Sequence, residues 1–129
     1  MDPVVHFEMP YEDRERAADF YRKAFAWEMQ LLGEKMGNYI LAITTETENG
    51  RPTTPGAING GLFQKKPDWP AQIPSVVIAV EDIDKAMKKV TAAGGEVLGE
   101  PMEIPGTGHY VSFKDTEGNR VSLLQPTSM

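Results

Sequence analysis

A chain of 129 residues, 40% hydrophobic and 25% charged, has ordinary globular composition and room for one domain, not for two of ordinary size. Thirteen Lys and Arg against 19 Asp and Glu leave a net charge of −6 with no basic run, which disfavours a nucleic-acid-binding surface. The absence of cysteine excludes disulfides, thiolate metal sites and a cysteine nucleophile.

No apolar run approaches the ~20 residues of a membrane span, and the opening residues lack the basic-then-apolar pattern of a signal peptide. A cytoplasmic protein with no membrane or nucleic-acid partner is expected. Pro3 to Met9 is short and rich in Val and Phe, as in a strand. From Asp13 to Phe25, Ala17, Phe20, Tyr21, Ala24 and Phe25 fall at helical spacing, which predicts an amphipathic helix with these aromatics in the core. Asp13 is its candidate N-cap. Trp27 to Leu32 and Asn38 to Thr44 read as strands joined by a hairpin turn at GEKMG. Glu46 to Gly56 reads as an exposed loop, and Ala57 to Gln64 returns to an extended pattern.

Lys65 to Pro74 contains three prolines and reads as a linker. The order then repeats. Ser75 to Val80 predicts a strand, and Asp82 to Ala93 a helix with Ile83, Ala86, Met87 and Val90 as its apolar stripe. Ala93-Gly94-Gly95 supplies the stop. Glu96 to Leu98, Val111 to Lys114 and Arg120 to Gln125 follow as strands, with DTEGN as a turn before the last. An offset of 69 places His6 on Ser75, Asp13 on Asp82 and Ala17 on Ala86. One α+β domain over 1–129 is predicted, built from two βαβββ modules at 1–65 and 75–129 with a linker at 66–74. Each module is too small to bury a core alone.

Three segments carry a family resemblance. VVHFEMP followed by ERAADFYRKAFAWEM, then VVIAVEDIDKAMKKVTAAGGEV, then FKDTEGNRVSLLQP together resemble the vicinal oxygen chelate superfamily, which includes glyoxalase I, bleomycin-resistance proteins and extradiol dioxygenases. Thr116 stands where the family usually has proline. The resemblance implies that the two modules form a curved, open sheet trough. It also implies four metal-ligand positions on the first and last strands of each module, which align with His6, Gly61, Ser75 and Ser122. Only His6 carries a strong ligand side chain. A catalytic metal wants about three protein ligands, so a trough without an obligatory metal is expected, with a divalent ion as the alternative.

Several residues are candidates for that trough. His6 and Glu8 alternate onto one strand face and are candidates for a proton-transfer pair; a hydrogen-bonded strand histidine and a rim glutamate are the competing reading. Ser75, Ser122, Arg120, Tyr39, Trp69 and His109 are candidate ligand-binding residues. Arg120 points to the same face as Ser122, as a carboxylate or phosphate receptor or as a side chain reaching the sheet end. Tyr39 and Tyr110 offer phenol donors, Trp69 an apolar lid, and His109 a loop imidazole. The expected function is binding of a small, partly apolar organic molecule by a homodimer. A metal-dependent lyase or isomerase of the glyoxalase I type and an accessory subunit are the alternatives.

Overall fold

A computed structural model describes residues 1–69 and 72–127. Two residues of the expected linker, Pro70 and Ala71, lie outside the described residues. The chain divides into two compact units, residues 6–74 and residues 1–5 with 75–129.

β1 (Val4–Tyr11) enters the 6–74 unit at His6 and leads through α1 (Arg14–Phe25) to β2 (Glu28–Leu31), β3 (Ile40–Ile43) and, after a small hairpin of β4 (Thr47–Glu48) and β5 (Arg51–Pro52), to β6 (Asn59–Gln64). The sheet runs in the order β2-β3-β6-β1, with β1 parallel to β6 and the other neighbours antiparallel. In the other unit, β7 (Ser75–Ala79), α2 (Ile83–Ala92), β8 (Glu96–Ile104), β9 (Gly108–Lys114) and β10 (Arg120–Pro126) form a sheet ordered β7-β10-β9-β8, again with one parallel pair. Each unit is thus a βαβββ module of α+β class, the first with a two-strand hairpin inserted.

Strand alternation divides every strand into a helix-facing row and an opposite row. The helix-facing rows make the cores. Tyr11, Met29, Ile40, Ala42 and Leu62 bury against Ala18 of α1, and Val80, Val111, Phe113 and Leu123 bury against Ile83 of α2. Both helices start on an aspartate whose side chain accepts a backbone N–H one turn in: Asp13 from Arg16 at 3.0 Å and Asp82 from Lys85 at 3.1 Å. These bonds satisfy one otherwise unpartnered donor in each first turn.

α2 buries the stripe its spacing predicts, with Ala86, Met87 and Val90 packed around Ile83. α1 does not. Ala18 is fully buried, with Ala17 and Tyr21 beside it, while Phe20 and Phe25 are 57% and 60% exposed. Phe20 lies two residues from Ala18, about 200° around the helix, and so on the far side. Tyr21 stacks on Trp27 at 4.7 Å and 7°, so this pair, not Phe20, closes the end of the core.

GEKMG is the expected hairpin connection between the antiparallel strands β2 and β3, and it contains a 3-10 turn over Glu34–Met36 with Gly37 and Asn38 at φ 65° and 56°. Two further elements differ from expectation. β8 extends to Ile104, because a register shift between Leu98 and Met102 absorbs Gly99 and Pro101, two residues that read as strand breakers. His109, expected in a loop, lies within β9. DTEGN is the predicted turn: Asp115 accepts the N–H groups of Glu117 and Asn119, and Gly118 takes φ 84°. The Asn119 side-chain amide also donates to Asp115, and this bond is the main cause that holds the Asp115 carboxyl below its ordinary range. Among the described residues no helix is long and apolar enough to cross a membrane.

Candidate functional site

The sheet face of the 6–74 unit opposite α1 carries its chemistry. Register sets His6 beside Asn59 and Glu8 beside Gly61. β3 pairs Leu41 with Gly61, so Tyr39, two residues earlier, reaches the same face. The Tyr39 hydroxyl lies 3.2 Å from His6 Nε2 and donates to Glu8 Oε2 at 3.1 Å. A phenol has one proton. With that proton directed at Glu8, the phenol oxygen accepts from His6, which fixes the proton of the imidazole on Nε2. Burial pushes the His6 pKa down to about 4, so the ring is neutral at physiological pH. Glu8 is 6% exposed, a buried carboxyl group held by hydrogen bonding.

Gly61 makes this arrangement possible. A Cβ there would stand 1.9 Å from the Tyr39 hydroxyl oxygen and 2.1 Å from its ring carbons. The phenol therefore fills the volume that a side chain at 61 would need. Asn59 works at the other end of the same row. Its amide oxygen accepts from Thr44 N at 2.9 Å, and its nitrogen donates to Thr47 Oγ1 at 2.8 Å, which ties the β4–β5 hairpin to β6.

The 75–129 unit carries a second polar cluster, also on the face opposite its helix. Ser122 pairs in register with Val77 and Ser112. Its fully buried hydroxyl lies 2.7 Å from the Tyr110 hydroxyl and 3.0 Å from Ser112 Oγ. Arg120 donates to Ser112 Oγ at 3.0 Å and to Ser75 Oγ at 3.4 Å. Ser75, Ser122, Arg120 and Tyr110 thus converge within this unit, joined by Ser112 and held by hydroxyl and guanidinium hydrogen bonds.

The remaining candidates stand apart from these clusters. His109 points to the Val111 and Phe113 side of β9, with Nε2 3.8 Å from Glu103 Oε2 on exposed surface. Trp69 is 52% exposed, with Lys66 Nζ 4.4 Å from its ring centroid. A depression of about 340 Å³ lined by Glu12, Lys65, Lys66, Pro67 and Gln72 includes none of the candidates. Sequence reading passed over Ser112 and Asn59. Ser112 was detectable as the residue two beyond Tyr110 on an alternating strand, whereas nothing in the sequence marks the bonds that Asn59 makes.

The donor set can be tested against a metal. Of the four positions implied by the family resemblance, Gly61 has no side chain and its volume is occupied by Tyr39. The Ser122 hydroxyl is buried between two other hydroxyls. Among the described residues no group of three or more His, Asp or Glu could hold a metal ion. These residues do not fit a divalent ion of the kind bound by three strong ligands.

The sequence profile of the Glyoxalase/Bleomycin resistance protein/Dioxygenase superfamily matches residues 4–123. A glyoxylase-like domain-containing protein of Didymella fabae is 32% identical over 119 residues, covering 90% of this chain and 88% of that protein. The anthracycline biosynthesis protein DnrV of Streptomyces peucetius is 30% identical over 125 residues, covering 87% of this chain and 42% of that one. The chain spans about a fifth to two fifths of the length of the mycobacterial and streptomycete relatives it matches (20% and 42%). A solved structure of Streptomyces coelicolor methylmalonyl-CoA epimerase with bound 2-nitronate-propionyl-CoA superposes with a TM-score of 0.72 over 98% of this chain and 96% of that one. At 17% identity this likeness speaks to fold alone.

Proposed function

We infer the function of this chain from one premise: it belongs to the Glyoxalase/Bleomycin resistance protein/Dioxygenase superfamily. Our reading is a small-molecule-binding member that takes a partly apolar organic ligand without an obligatory metal. One observation carries it. The volume over Gly61 holds the Tyr39 phenol, bonded to both His6 and Glu8, so this face presents a hydrogen-bonding group in place of a metal ligand. The half-buried side chains of Leu41 and Phe63 lie in the same face and supply apolar contact beside it. An apolar surface with a few placed polar groups suits an organic ligand. DnrV is named for anthracycline biosynthesis, which accords with an organic ligand.

The test is metal content and ligand response of the purified protein. Thermal shifts with a panel of organic compounds should be the same with and without a chelator, and Tyr39→Phe should weaken them. A stoichiometric nickel, zinc, iron or manganese ion that is lost in His6→Ala overturns the reading.

A second reading, catalysis of proton transfer, draws on the same geometry. Tyr39 bridges a neutral imidazole and a carboxyl group, which is a path along which a proton can move. Turnover of a carbonyl substrate that falls in both Glu8→Gln and Tyr39→Phe would favour it. Our reading also includes a homodimer. β2 and β8 stand at sheet ends, and exposed strand edges favour pairing or covering. A monomeric mass by light scattering across micromolar concentrations refutes this part alone.

A further inference from the structure

The chain contains two Asn-Gly pairs, Asn49-Gly50 and Asn59-Gly60, and they sit in opposite surroundings. Asn49 and Gly50 are the two central residues of the β4–β5 hairpin, at φ 52° and 77°, between the closing pair Glu48 and Arg51. Both are exposed, and a Cβ built on Gly50 meets nothing within 4 Å. The hairpin is short, two residue pairs followed by two bonds from Thr53 to the Glu46 carbonyl, so its opening requires little. Asn59 has both ends of its amide engaged, by Thr44 N and Thr47 Oγ1. Gly60 is buried in β6, with the Phe7 ring 2.4 Å from where a Cβ would stand.

We propose that Asn49-Gly50 is a site of spontaneous succinimide formation and isoaspartate conversion, and that Asn59-Gly60 is protected from the same chemistry. In the first step the Gly50 backbone nitrogen attacks the Asn49 side-chain carbonyl carbon. The new C–N bond closes the ring, the Cγ–Nδ2 bond breaks, and ammonia leaves with the proton from the Gly50 nitrogen. Water then opens the ring at either carbonyl, which gives aspartate or isoaspartate. Gly50 favours the attack because no side chain obstructs its nitrogen.

Conversion has a structural consequence. Isoaspartate lengthens the backbone of a two-residue turn that closes only with a particular pair of dihedrals, and the new carboxylate joins Glu46 and Glu48. The β4–β5 pairing then loosens, and with it the Thr47 hydroxyl bonded to Asn59, the register partner of His6. The modification would release a strap fastened to the row that holds the candidate site. The proposal does not depend on which ligand that site takes.

Folded protein and a urea-unfolded sample are held in the same neutral buffer, digested under acid conditions and mapped by mass for amide-to-acid conversion. Isoaspartate is identified by enzymatic methylation. In the folded protein Asn49 should convert faster than Asn59 by about tenfold or more, whereas the two should convert comparably when unfolded. Asn49→Gln should remove the signal while the protein stays folded. The converted fraction should show faster amide exchange over residues 44–53. Silence at Asn49 in the folded protein, or conversion at Asn59 that keeps pace with it, overturns the assignment. Unchanged exchange over 44–53 in converted protein overturns the consequence.

Discussion

The hydroxyl oxygen of Tyr39 lies 1.9 Å from the point where a side chain on Gly61 would begin. The two residues therefore compete for one volume, and the polar row depends on glycine conceding it. Gly61→Ala should displace the phenol from both His6 and Glu8 and lower stability by about 1–3 kcal/mol, the usual range for overpacking. Combining it with Tyr39→Ala should cost less than the sum of the two, because the clash is gone. A double-mutant cycle by urea denaturation reads this coupling; strict additivity would show that the two do not share the space.

His6 gives the fold a pH dependence. Its folded pKa, lowered to about 4 from 6.5 by burial, means that the unfolded chain takes up a proton in a range where the folded one does not. Stability is therefore full above the unfolded pKa and is lost as pH falls from about 6.5 to 4. The loss amounts to about 3 kcal/mol from this group. Chemical denaturation at pH 7 and pH 4 should show the difference, and His6→Gln should reduce it. An equal loss in that variant would assign the effect to other groups.

Ser122 is the buried centre of the second cluster. Its hydroxyl meets Tyr110 and Ser112, so Ser122→Ala removes a partner from both. A cost of about 1–3 kcal/mol follows from leaving buried polar groups short of a bond. Thermal unfolding measures it. A neutral result would mean that the hydroxyls of Tyr110 and Ser112 find each other or other partners.

The two aspartate caps offer a matched pair of tests. Asp13→Ala and Asp82→Ala each remove one bond to a first-turn N–H, at 3.0 and 3.1 Å. Each should cost about 1 kcal/mol. Asparagine at either position should recover most of it, since it accepts the same bond. Alanine variants as stable as the parent would assign the helix starts to tertiary packing.

What could be read from the sequence follows from the range of the forces involved. Asp82, Ile83, Ala86, Met87 and Val90 announce α2 because a cap and an apolar stripe are local patterns. α1 misleads because two large aromatics, Phe20 and Phe25, outweigh two alanines in any hydrophobic count. Yet it is small Ala18 that is fully buried against the sheet. Gly99 and Pro101 interrupt the β8 pattern, and only the register shift that absorbs them restores the strand. At the site, His6 and Glu8 are legible as a two-residue alternation. Gly61 shows in the sequence as an absent donor; that Tyr39 occupies its volume depends on strand register, which no local pattern encodes.

The repeated aspartate caps stand beside sheet faces that have little in common. One half displays an imidazole, a carboxyl group and a phenol, and the other displays hydroxyls around a guanidinium. The two halves share the way their helices start and differ in the chemistry these faces carry. Exchanging residues between equivalent places in the halves, His6 with Ser75 for instance, would consequently transplant neither environment, because the neighbours that give each residue its meaning do not recur.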